Sequence, residues 1–320
     1  MNGLSKGMPR ALLEKAWLGS FLAAAAVWAA AMIYSGGQGG GQMLGAALSF
    51  STFFVIVGIG QMLIIATGPG NVDLSIPGTI ALAGAIAMKV MDGEDSLIVV
   101  GLAASLAAGA AVGAANYGLI RVLRIPPIIA TLSSNLLVQS TAIAYGRGLR
   151  VKPPPAFADF TTATVFGVPV LALCAVVFAA VMAVVLARTV FGRSVLAIGQ
   201  NMRAAWLAGV AVDRTRLLTY TLSGLFAGLC GALLAGFSGG SSLDMGMEYL
   251  LASIAVVVIG GTSVAGGKAN VPGIWGAALF LFLLLTMLNT FGAGAGVRLV
   301  MTGLIIIAVI TMAGGDKPAR

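Results

Sequence analysis

Residues Met43–Met91 read MLGAALSFSTFFVIVGIGQMLIIATGPGNVDLSIPGTIALAGAIAMKVM, and this stretch decides the fold. It holds two apolar runs, Met43–Thr67 and Val72–Met91, and each is long enough to cross a hydrocarbon core of about 30 Å as a helix. Two glycines and a proline separate the runs, and a continuous helix does not accommodate them. Because backbone polar groups in lipid must be bonded within the protein, we predict transmembrane helices with a break near Thr67–Ser75.

The same pattern extends over the rest of the chain. About ten apolar segments indicate an all-α, polytopic transmembrane bundle that forms a single domain over residues 1–320. The predicted segments are Ala16–Tyr34, Met43–Thr67, Val72–Met91, Leu97–Ile120, Pro126–Ala144, Val165–Ala187, Leu217–Phe237, Tyr249–Val264, Val271–Phe291 and Val297–Met312. The first could instead be a signal peptide cleaved after Ala29–Ala31, but its apolar run is longer than a usual signal core, which favours a retained span.

Composition supports a membrane protein and argues against cofactor chemistry. Of 320 residues, 59% are apolar and 9% are charged, whereas soluble domains carry about 25% charged residues. The net charge of +8 has a simpler source than nucleic-acid binding, namely the excess of Lys and Arg in cytoplasmic loops. The chain has no His, and both cysteines, Cys174 and Cys230, fall inside predicted spans. We therefore expect no metal or other cofactor on this chain.

Charge distribution predicts the orientation. With the N-terminus inside, ten crossings place most basic residues inside, with the segment 188–216 as the longest inner one, and place the acidic cluster Asp92–Asp95 outside. Both tails, 1–15 and 313–320, are then cytoplasmic, and the expected location is the bacterial inner membrane. The longest outer segment, Tyr145–Thr164, carries three consecutive prolines, Pro153-Pro154-Pro155, and this run is predicted to be stiff and non-helical.

Asp73 is the only acidic residue between Glu14 and Asp92. A carboxylate near lipid is costly unless it faces protein or water, so it is a candidate functional residue together with its neighbours Asn71 and Ser75. Broken helices near the bilayer middle are how many transporters present backbone groups to a solute. The alternative role for Asp73 is to cap the following helix.

Two further places carry polar side chains at lipid depth. Ser133, Ser134, Asn135 and Gln139 lie within two turns of one predicted span, and Asn289 lies in the ninth. Such residues either bond across helices or line a wet solute path, so Ser134, Asn135, Gln139 and Asn289 are candidates for that path. Glycines Gly224, Gly228 and Gly231 are spaced for close helix packing.

The inner segment 188–216 predicts a docking element. Residues Ser194–Val210 are interpreted as one short helix, with an apolar face formed by Ala204, Ala205, Leu207 and Ala208. A face of this kind needs a partner to pack against, and no soluble domain elsewhere in the chain provides one.

Enzyme motifs are missing from the sequence. The run Gly260–Ala269 superficially resembles a phosphate-binding loop, but Gly267 stands where the pattern needs Lys, and Ala269 replaces the Mg²⁺-binding hydroxyl. The chain also lacks His, an intramembrane carboxylate pair and a nucleophile elbow. We therefore predict no enzymatic activity.

Four blocks of sequence carry a family resemblance. They are TGPGNVDLSIPGTIALAG (Thr67–Gly84), RIPPIIATLSSNLLVQSTAIAYGRG (Arg124–Gly148), FGRSVLAIGQNMRAAWLAGVAVDRTRLLTYTLSGLFAGLCGALLAG (Phe191–Gly236) and GGTSVAGGKANVPGIWGA (Gly260–Ala277). In these blocks the chain resembles the permease subunit of ribose-type, binding-protein-dependent ABC importers. The third block is the most specific.

The resemblance implies a docking helix, partners and a transport mechanism. Ala204 and Ala205 followed by Gly209 match the cytoplasmic coupling helix that docks on the ATPase subunit, and the implied ATPase-coupling residues are Arg193, Arg203, Ala204, Ala205, Gly209 and Asp213. The implied partners are ABC ATPase subunits that hold ATP and Mg²⁺, a periplasmic solute-binding protein and a second permease subunit. ATP-driven closure of the ATPases would then carry a monosaccharide or related polyol inward.

The chain departs from the family pattern at two places, and two other functions stay open. Arg203 stands where the coupling pattern often has Glu, which reverses the charge at the ATPase interface. Pro69-Gly70-Asn71 are extra residues in the first block, and Pro77 replaces a usual Gly. The alternatives are an ABC permease for nucleosides or branched-chain amino acids and, in a different class, a stand-alone facilitator.

Overall fold

The computed structural model describes residues 16–290 except 38, 149 and 150, together with isolated positions between 294 and 307. The described part is almost entirely helical and has one two-stranded hairpin. Its helices are α1 (Ala16–Tyr34), α2 (Gly40–Ile65), α3 (Ile76–Met91), α4 (Ile98–Val122), α5 (Pro127–Gly146), α6 (Pro155–Thr162), α7 (Val170–Arg188), α8 (Val190–Gln200), α9 (Met202–Leu207), α10 (Val212–Phe237), α11 (Tyr249–Ile259) and α12 (Val271–Thr290).

Seven of these helices are long and apolar enough to cross a membrane, namely α1, α2, α4, α5, α7, α10 and α12. Two shorter apolar helices, α3 and α11, lie among them. The predicted all-α, polytopic membrane bundle is therefore confirmed, and nine of the ten predicted segments correspond to one described helix each. The tenth, Val297–Met312, lies largely outside the described residues, as do the two tails, 1–15 and 313–320.

The second helix, α2, forms the centre of the bundle. From Ser51 to Gly68 every residue is buried, so this part of α2 and its continuation are covered by protein on all sides. Helices α3, α4 and α10 pack together on one side of it, and α1 and α12 pair on another. Uniform burial explains why α2 is apolar all round rather than amphipathic.

Glycines allow α4 and α10 to pack backbone against backbone. A Cβ atom at Gly109 would overlap the carbonyl oxygen of Gly224, and one at Gly113 would overlap that of Tyr220. At the next contact along the pair, the Ser105 hydroxyl donates to the carbonyl oxygen of Gly228 at 2.7 Å. The packing role predicted for the α10 glycines is confirmed, and α4 and α10 form a single rigid unit.

The predicted break is present, but the helix after it begins later than expected. The span was predicted from Val72, whereas residues 71–75 form no regular secondary structure and α3 begins at Ile76. Pro77 lies in the first turn of α3, where its missing N–H costs nothing, and this position favours a helix start just before it. A non-helical segment, 71–75, therefore joins the turn after α2 to α3 inside the bundle.

Three further differences from the prediction follow from local turns, and the span predicted from Leu217 belongs to a helix that starts earlier, at Val212. The span predicted from Val165 starts at Val170, because Thr164–Val165 and Val168–Pro169 form a hairpin that turns at Phe166 and Gly167, both at positive φ. The outer segment is partly helical, because Pro155 occupies the first position of α6. Helix α11 ends at Ile259, before Gly260 and Gly261, rather than at Val264.

Candidate functional site

A buried polar cluster forms around Asp73, beside the middle of α10. The Asp73 side chain is 1% exposed, and its Oδ1 accepts from the backbone N–H of Ser75 at 2.9 Å and from the Ser75 hydroxyl at 2.6 Å. Its Oδ2 accepts from the Ser223 hydroxyl of α10 at 3.0 Å. Asn116 of α4 donates to the Ser75 hydroxyl oxygen at 2.7 Å. The carboxylate thereby fixes the turn that begins α3, and its contact with a solute stays a prediction.

Side chains of α2 and α5 form hydrogen bonds with the backbone of segment 71–75. The backbone N–H of Asp73 donates to Gln61 Oε1 of α2 at 3.1 Å. The N–H of Leu74 donates to the Thr131 hydroxyl of α5 at 3.1 Å, and that hydroxyl in turn lies 3.2 Å from the carbonyl oxygen of Val72. Backbone groups that a helix would satisfy internally are therefore satisfied by Gln61 and Thr131, as the membrane interior requires.

The polar residues predicted on α5 divide between two faces. Asn135 and Ser134 are buried, and Asn135 Oδ1 accepts from the Gly78 N–H of α3 at 2.8 Å. Gln139 is half-buried and lies 3.8 Å from the Met247 sulfur. Asn135 thus supports the first turn of α3, while Gln139 lies nearer the open side of α5. Asn289 is exposed near the end of α12, which packs mainly on α1 and α2, so it lies away from this cluster.

A second group of polar residues lies nearer one end of the same helices. Asn71 is buried, and its Oδ1 accepts from Arg216 of α10 at 2.5 Å. Asp213, one turn before Arg216, accepts from Arg121 Nε at 2.9 Å and from the Tyr117 hydroxyl at 2.8 Å. Asp213, which the resemblance assigned to ATPase coupling, is therefore held by α4 within this chain.

Two buried amide atoms beside Asp73 have unused hydrogen-bonding capacity. Gln61 Nε2 and Asn116 Oδ1 have no hydrogen-bond partner within the described residues, although both side chains are fully buried. Gln61 Nε2 is a donor and Asn116 Oδ1 is an acceptor. The other polar atom of each side chain is already used, Gln61 Oε1 by the N–H of Asp73 and Asn116 Nδ2 by the Ser75 hydroxyl. Sequence reasoning missed Gln61, Asn116, Thr131 and Ser223; polar residues isolated in apolar helices are the signal that could have found them.

The inner segment folds as two helices instead of the predicted single helix Ser194–Val210. Asn201 has an extended backbone (φ −160°, ψ 102°) that breaks the helix, and its side chain accepts from the Ala204 N–H at 2.9 Å. Asn201 is thus the N-cap of α9, and Thr189 caps α8 in the same way by accepting from Gly192 at 3.1 Å. Gly209, at φ +84°, ends α9 in the left-handed conformation that glycine adopts most easily.

The exposed face of α9 differs from the predicted one. Ala205 is buried against the protein, whereas Trp206 and Leu207 are 66% and 70% exposed, and Met202 is exposed beside them. Ala204, Ala208 and Arg203 are exposed on the same short helix, and Arg193 is exposed on α8. An apolar surface with basic neighbours therefore lies open at this end, and Trp206 and Met202, four residues apart, are the residues that the prediction missed.

The loop Gly260–Ala269 packs against the start of the broken segment. The Gly267 N–H donates to the carbonyl oxygen of Ala66 at 3.0 Å, and Gly266 lies against the backbone of Gly68. The loop contains no strand and shows none of the geometry of a phosphate-binding loop. Among the residues that the structure describes, no group of three or more His, Cys, Asp or Glu side chains is placed to hold a metal ion.

A bundle of apolar helices with a non-helical break inside it and an exposed helical pair at one end is the architecture of a multi-pass membrane protein. Residues 43–310 match the family model described as the permease component of branched-chain amino acid transport systems, so the chain belongs to that permease family. The resemblance to ribose-type permeases is confirmed by individual relatives.

Those relatives are import permeases of similar length. The chain is 30% identical to the autoinducer 2 import system permease protein LsrC of Enterobacter sp. (strain 638), over 97% of this chain and 90% of the relative. It is 32% identical to the ribose import permease protein RbsC of Escherichia coli (strain K12), over 80% of each chain. It is 31% identical to the RbsC protein of Bacillus subtilis (strain 168), again over 80% of each. No solved structure matches the chain.

Proposed function

We propose that this chain is one of two permease subunits of an ABC importer for a monosaccharide or related polyol, driven by ATP hydrolysis on a separate ATPase subunit. A periplasmic binding protein would deliver the solute, and the chain would lie in the bacterial inner membrane with both termini inside. The observation that carries this proposal is the α8–α9 pair, whose open face exposes Trp206, Leu207 and Met202. Large apolar side chains at the centre of a surface are typical anchors of protein interfaces.

Charge supports the inner side for this face. The exposed α8–α9 pair lies at the same end of the bundle as two basic residues, Arg121 and Lys268. Arg121 forms an ion pair with Asp213 at the start of α10, just after α9. Lys268 follows Gly267, whose carbonyl oxygen accepts a hydrogen bond from Gln200 of α8. Basic residues concentrate on the cytoplasmic side of membrane proteins, where an ATPase would be. The implied docking residues are Arg193, Arg203, Ala204, Ala205 and Gly209, with Asp213 holding α10 beneath them.

The solute path is proposed along the open side of α5. Ser133, Ser140 and Thr141 are exposed there, although most exposed neighbours on α5 are apolar, and Gln139 lies at the edge of this face. Hydroxyl and amide groups suit a hydroxyl-rich solute better than they suit lipid. A second permease subunit facing this side would enclose the path. Asn71, Asp73, Ser75, Ser134 and Asn135 would support its wall from within the bundle.

The sugar class is favoured over the alternatives by the relatives. Two of those described above are named for ribose import and one for autoinducer 2 import, whereas the family description names branched-chain amino acids. A stand-alone facilitator would leave the apolar face of α9 without a role. An ion-coupled transporter would need intramembrane charges, and Asp73 is bonded only to hydroxyl and amide groups among the described residues.

The proposal is tested in liposomes that contain this chain and the ATPase encoded beside it. ATP hydrolysis should rise only when both a candidate binding protein and one sugar are present. Gly209→Asp should abolish the rise, because aspartate at this positive φ strains the end of α9 and adds a charge to the docking face. Sugar flux through this chain alone, independent of ATP, would make it a facilitator and overturn the proposal.

A further inference from the structure

Three backbone segments meet at Gly199, near the end of α8. A Cβ atom at Gly199 would overlap both the carbonyl oxygen of Ala66 and the amide nitrogen of Gly267. Ala66 is the C-cap residue of α2, directly after its last residue Ile65, and Gly267 belongs to the loop that follows α11. Gly199 is therefore a point at which the inner helical pair contacts the end of α2 and the loop after α11 with no side chain between them.

The same contact extends to the broken segment. A Cβ atom at Gly266 would lie 2.5 Å from the Cα atom of Gly68 and 3.1 Å from the carbonyl oxygen of Gly199. Gly68 in turn accepts a hydrogen bond from the Asn71 side chain at 3.0 Å, and Asn71 is only two residues from Asp73. An unbroken series of contacts thus joins α8 to the segment that holds the buried carboxylate.

Hydrogen bonds reinforce this junction. The Gly267 N–H donates to the Ala66 carbonyl oxygen at 3.0 Å, and the Gln200 side chain donates to the Gly267 carbonyl oxygen at 3.4 Å. Contacts between backbones cannot relax by rotation of a side chain, and close-packed contacts transmit displacement rather than absorb it. A movement of α8 toward the bundle would therefore press directly on the backbone of Ala66 and Gly267.

We propose that Gly199 is a positioning residue that passes movement of α8–α9 to the broken segment 66–75, and so couples ATP hydrolysis to opening of the solute path. The proposal rests on the proposed function for its energy source. The competing routes are direct, because Thr189 joins α7 to α8 and residues 208–211 join α9 to α10. These routes differ from the proposed one because they do not need the contact at Gly199.

The first test is the number of sugar molecules imported for each ATP hydrolysed by the complete complex in liposomes. Gly199→Ala should keep the ATPase bound and active but lower import for each ATP by about fivefold or more, the low end of typical couplings between sites. Gly118→Ala is the matched control, since this α4 glycine has open space around it. Gln200→Ala should shift the ratio in the same direction by less. An unchanged ratio in Gly199→Ala would assign coupling to the chain connections at the two ends of the α8–α9 pair and overturn the proposal.

A second test uses a distance in the native junction, so it does not depend on whether Gly199→Ala folds. Spin labels at Val190 on α8 and at Pro69 in the break, both exposed and neither among the implied docking residues, are introduced as cysteines in a Cys174→Ala background. The distance between them should be the same in nucleotide-free and ATP-bound complexes, because the two segments move as one body. A distance that changes between these states would contradict the contact. Absence of ATP-dependent import in the unmutated complex would instead refute the proposed function, and this inference with it, whereas a changed distance in a working complex would refute this inference alone.

Discussion

The hydroxyl of Ser223 on α10 lies 3.0 Å from Oδ2 of Asp73, which stands 150 positions earlier in the chain. This bond joins the non-helical segment between α2 and α3 to the middle of α10. Helix α10 in turn packs closely on α4 through glycines of both helices. The break at membrane depth is therefore a structured element with defined partners. The start of the break at Ala66 also lies against Gly199 of α8, and this contact is the proposed link between the α8–α9 pair and the break.

Loss of the Ser223 hydroxyl should destabilise the protein. In Ser223→Ala the Asp73 carboxylate stays buried with one donor fewer, and an unsatisfied buried group costs about 1–3 kcal/mol or more when it is charged. Thermal unfolding of the purified protein in detergent measures the change. Ser140→Ala, on the exposed side of α5, should leave the unfolding temperature nearly unchanged. Equal stability of the two variants would contradict the role assigned to the cluster.

Enlarging Gly224 should separate α4 from α10. In Gly224→Ala the new methyl group would meet the backbone of Gly109 and Gly113, and overpacking of this kind costs about 1–3 kcal/mol. We expect a lower unfolding temperature and weaker protection of α4 amides from hydrogen exchange. Gly118→Ala, which meets open space on the same helix pair, serves as the control, and a similar loss in both variants would argue against tight packing at Gly224.

Loss of Asn135 should lower stability, whereas loss of Gln139 should weaken import. Asn135→Ala removes the acceptor for the Gly78 N–H and should lower stability by about 1–3 kcal/mol. Gln139→Ala should change stability by no more than about 0.5 kcal/mol, yet raise the KM for import, because Gln139 lies on the proposed path. Unfolding and uptake assays on both variants check this, and an unchanged KM in Gln139→Ala would remove that residue from the path.

Truncation of Trp206 should weaken binding of the ATPase subunit. A tryptophan at the centre of an interface typically contributes about 2 kcal/mol or more, which corresponds to roughly 30-fold in affinity. Trp206→Ala should show this loss in a binding assay with the purified ATPase, while Trp206→Phe should recover much of it. Phe166→Ala, at the exposed hairpin turn, is the control for loss of an exposed aromatic residue elsewhere. Full affinity in Trp206→Ala would place the ATPase on another surface.

Reversal of the charge at Arg203 should also weaken ATPase binding, and the loss should depend on salt. Arg203 is exposed on α9, so an acidic residue on the partner would be attracted to it across the interface. Arg203→Glu should reduce association most at low ionic strength, since screening removes much of the attraction between exposed charges. Binding and transport that are both unchanged in Arg203→Glu would show that the reversed charge has no matching acid.

The sequence was sufficient to predict the membrane class, the break and the family, because apolar length and Gly-Pro interruptions act locally. It was insufficient for the partners of the break: Gln61, Thr131 and Ser223 are brought to Asp73 only by the packing of three helices. The two-helix form of the inner segment depends on one side chain, Asn201, whose capping of α9 outweighs the helical pattern around it. The helix starts at Ile76 and Val170 were misplaced because Pro77 and Pro169 set them within a single turn. A hydropathy window averages over many more residues than that.

The central claim is that this permease moves a sugar only when a partner hydrolyses ATP, and uptake of labelled ribose into liposomes tests it most directly. The liposomes contain this chain with its neighbouring ATPase and enclosed ATP, and the binding protein is added outside. We expect the labelled sugar, ribose or another member of a tested panel, to accumulate above its outside concentration, and we expect accumulation to stop when a non-hydrolysable analogue replaces ATP. Equilibration of sugar by this chain alone, unaffected by ATP or by the binding protein, would contradict the account.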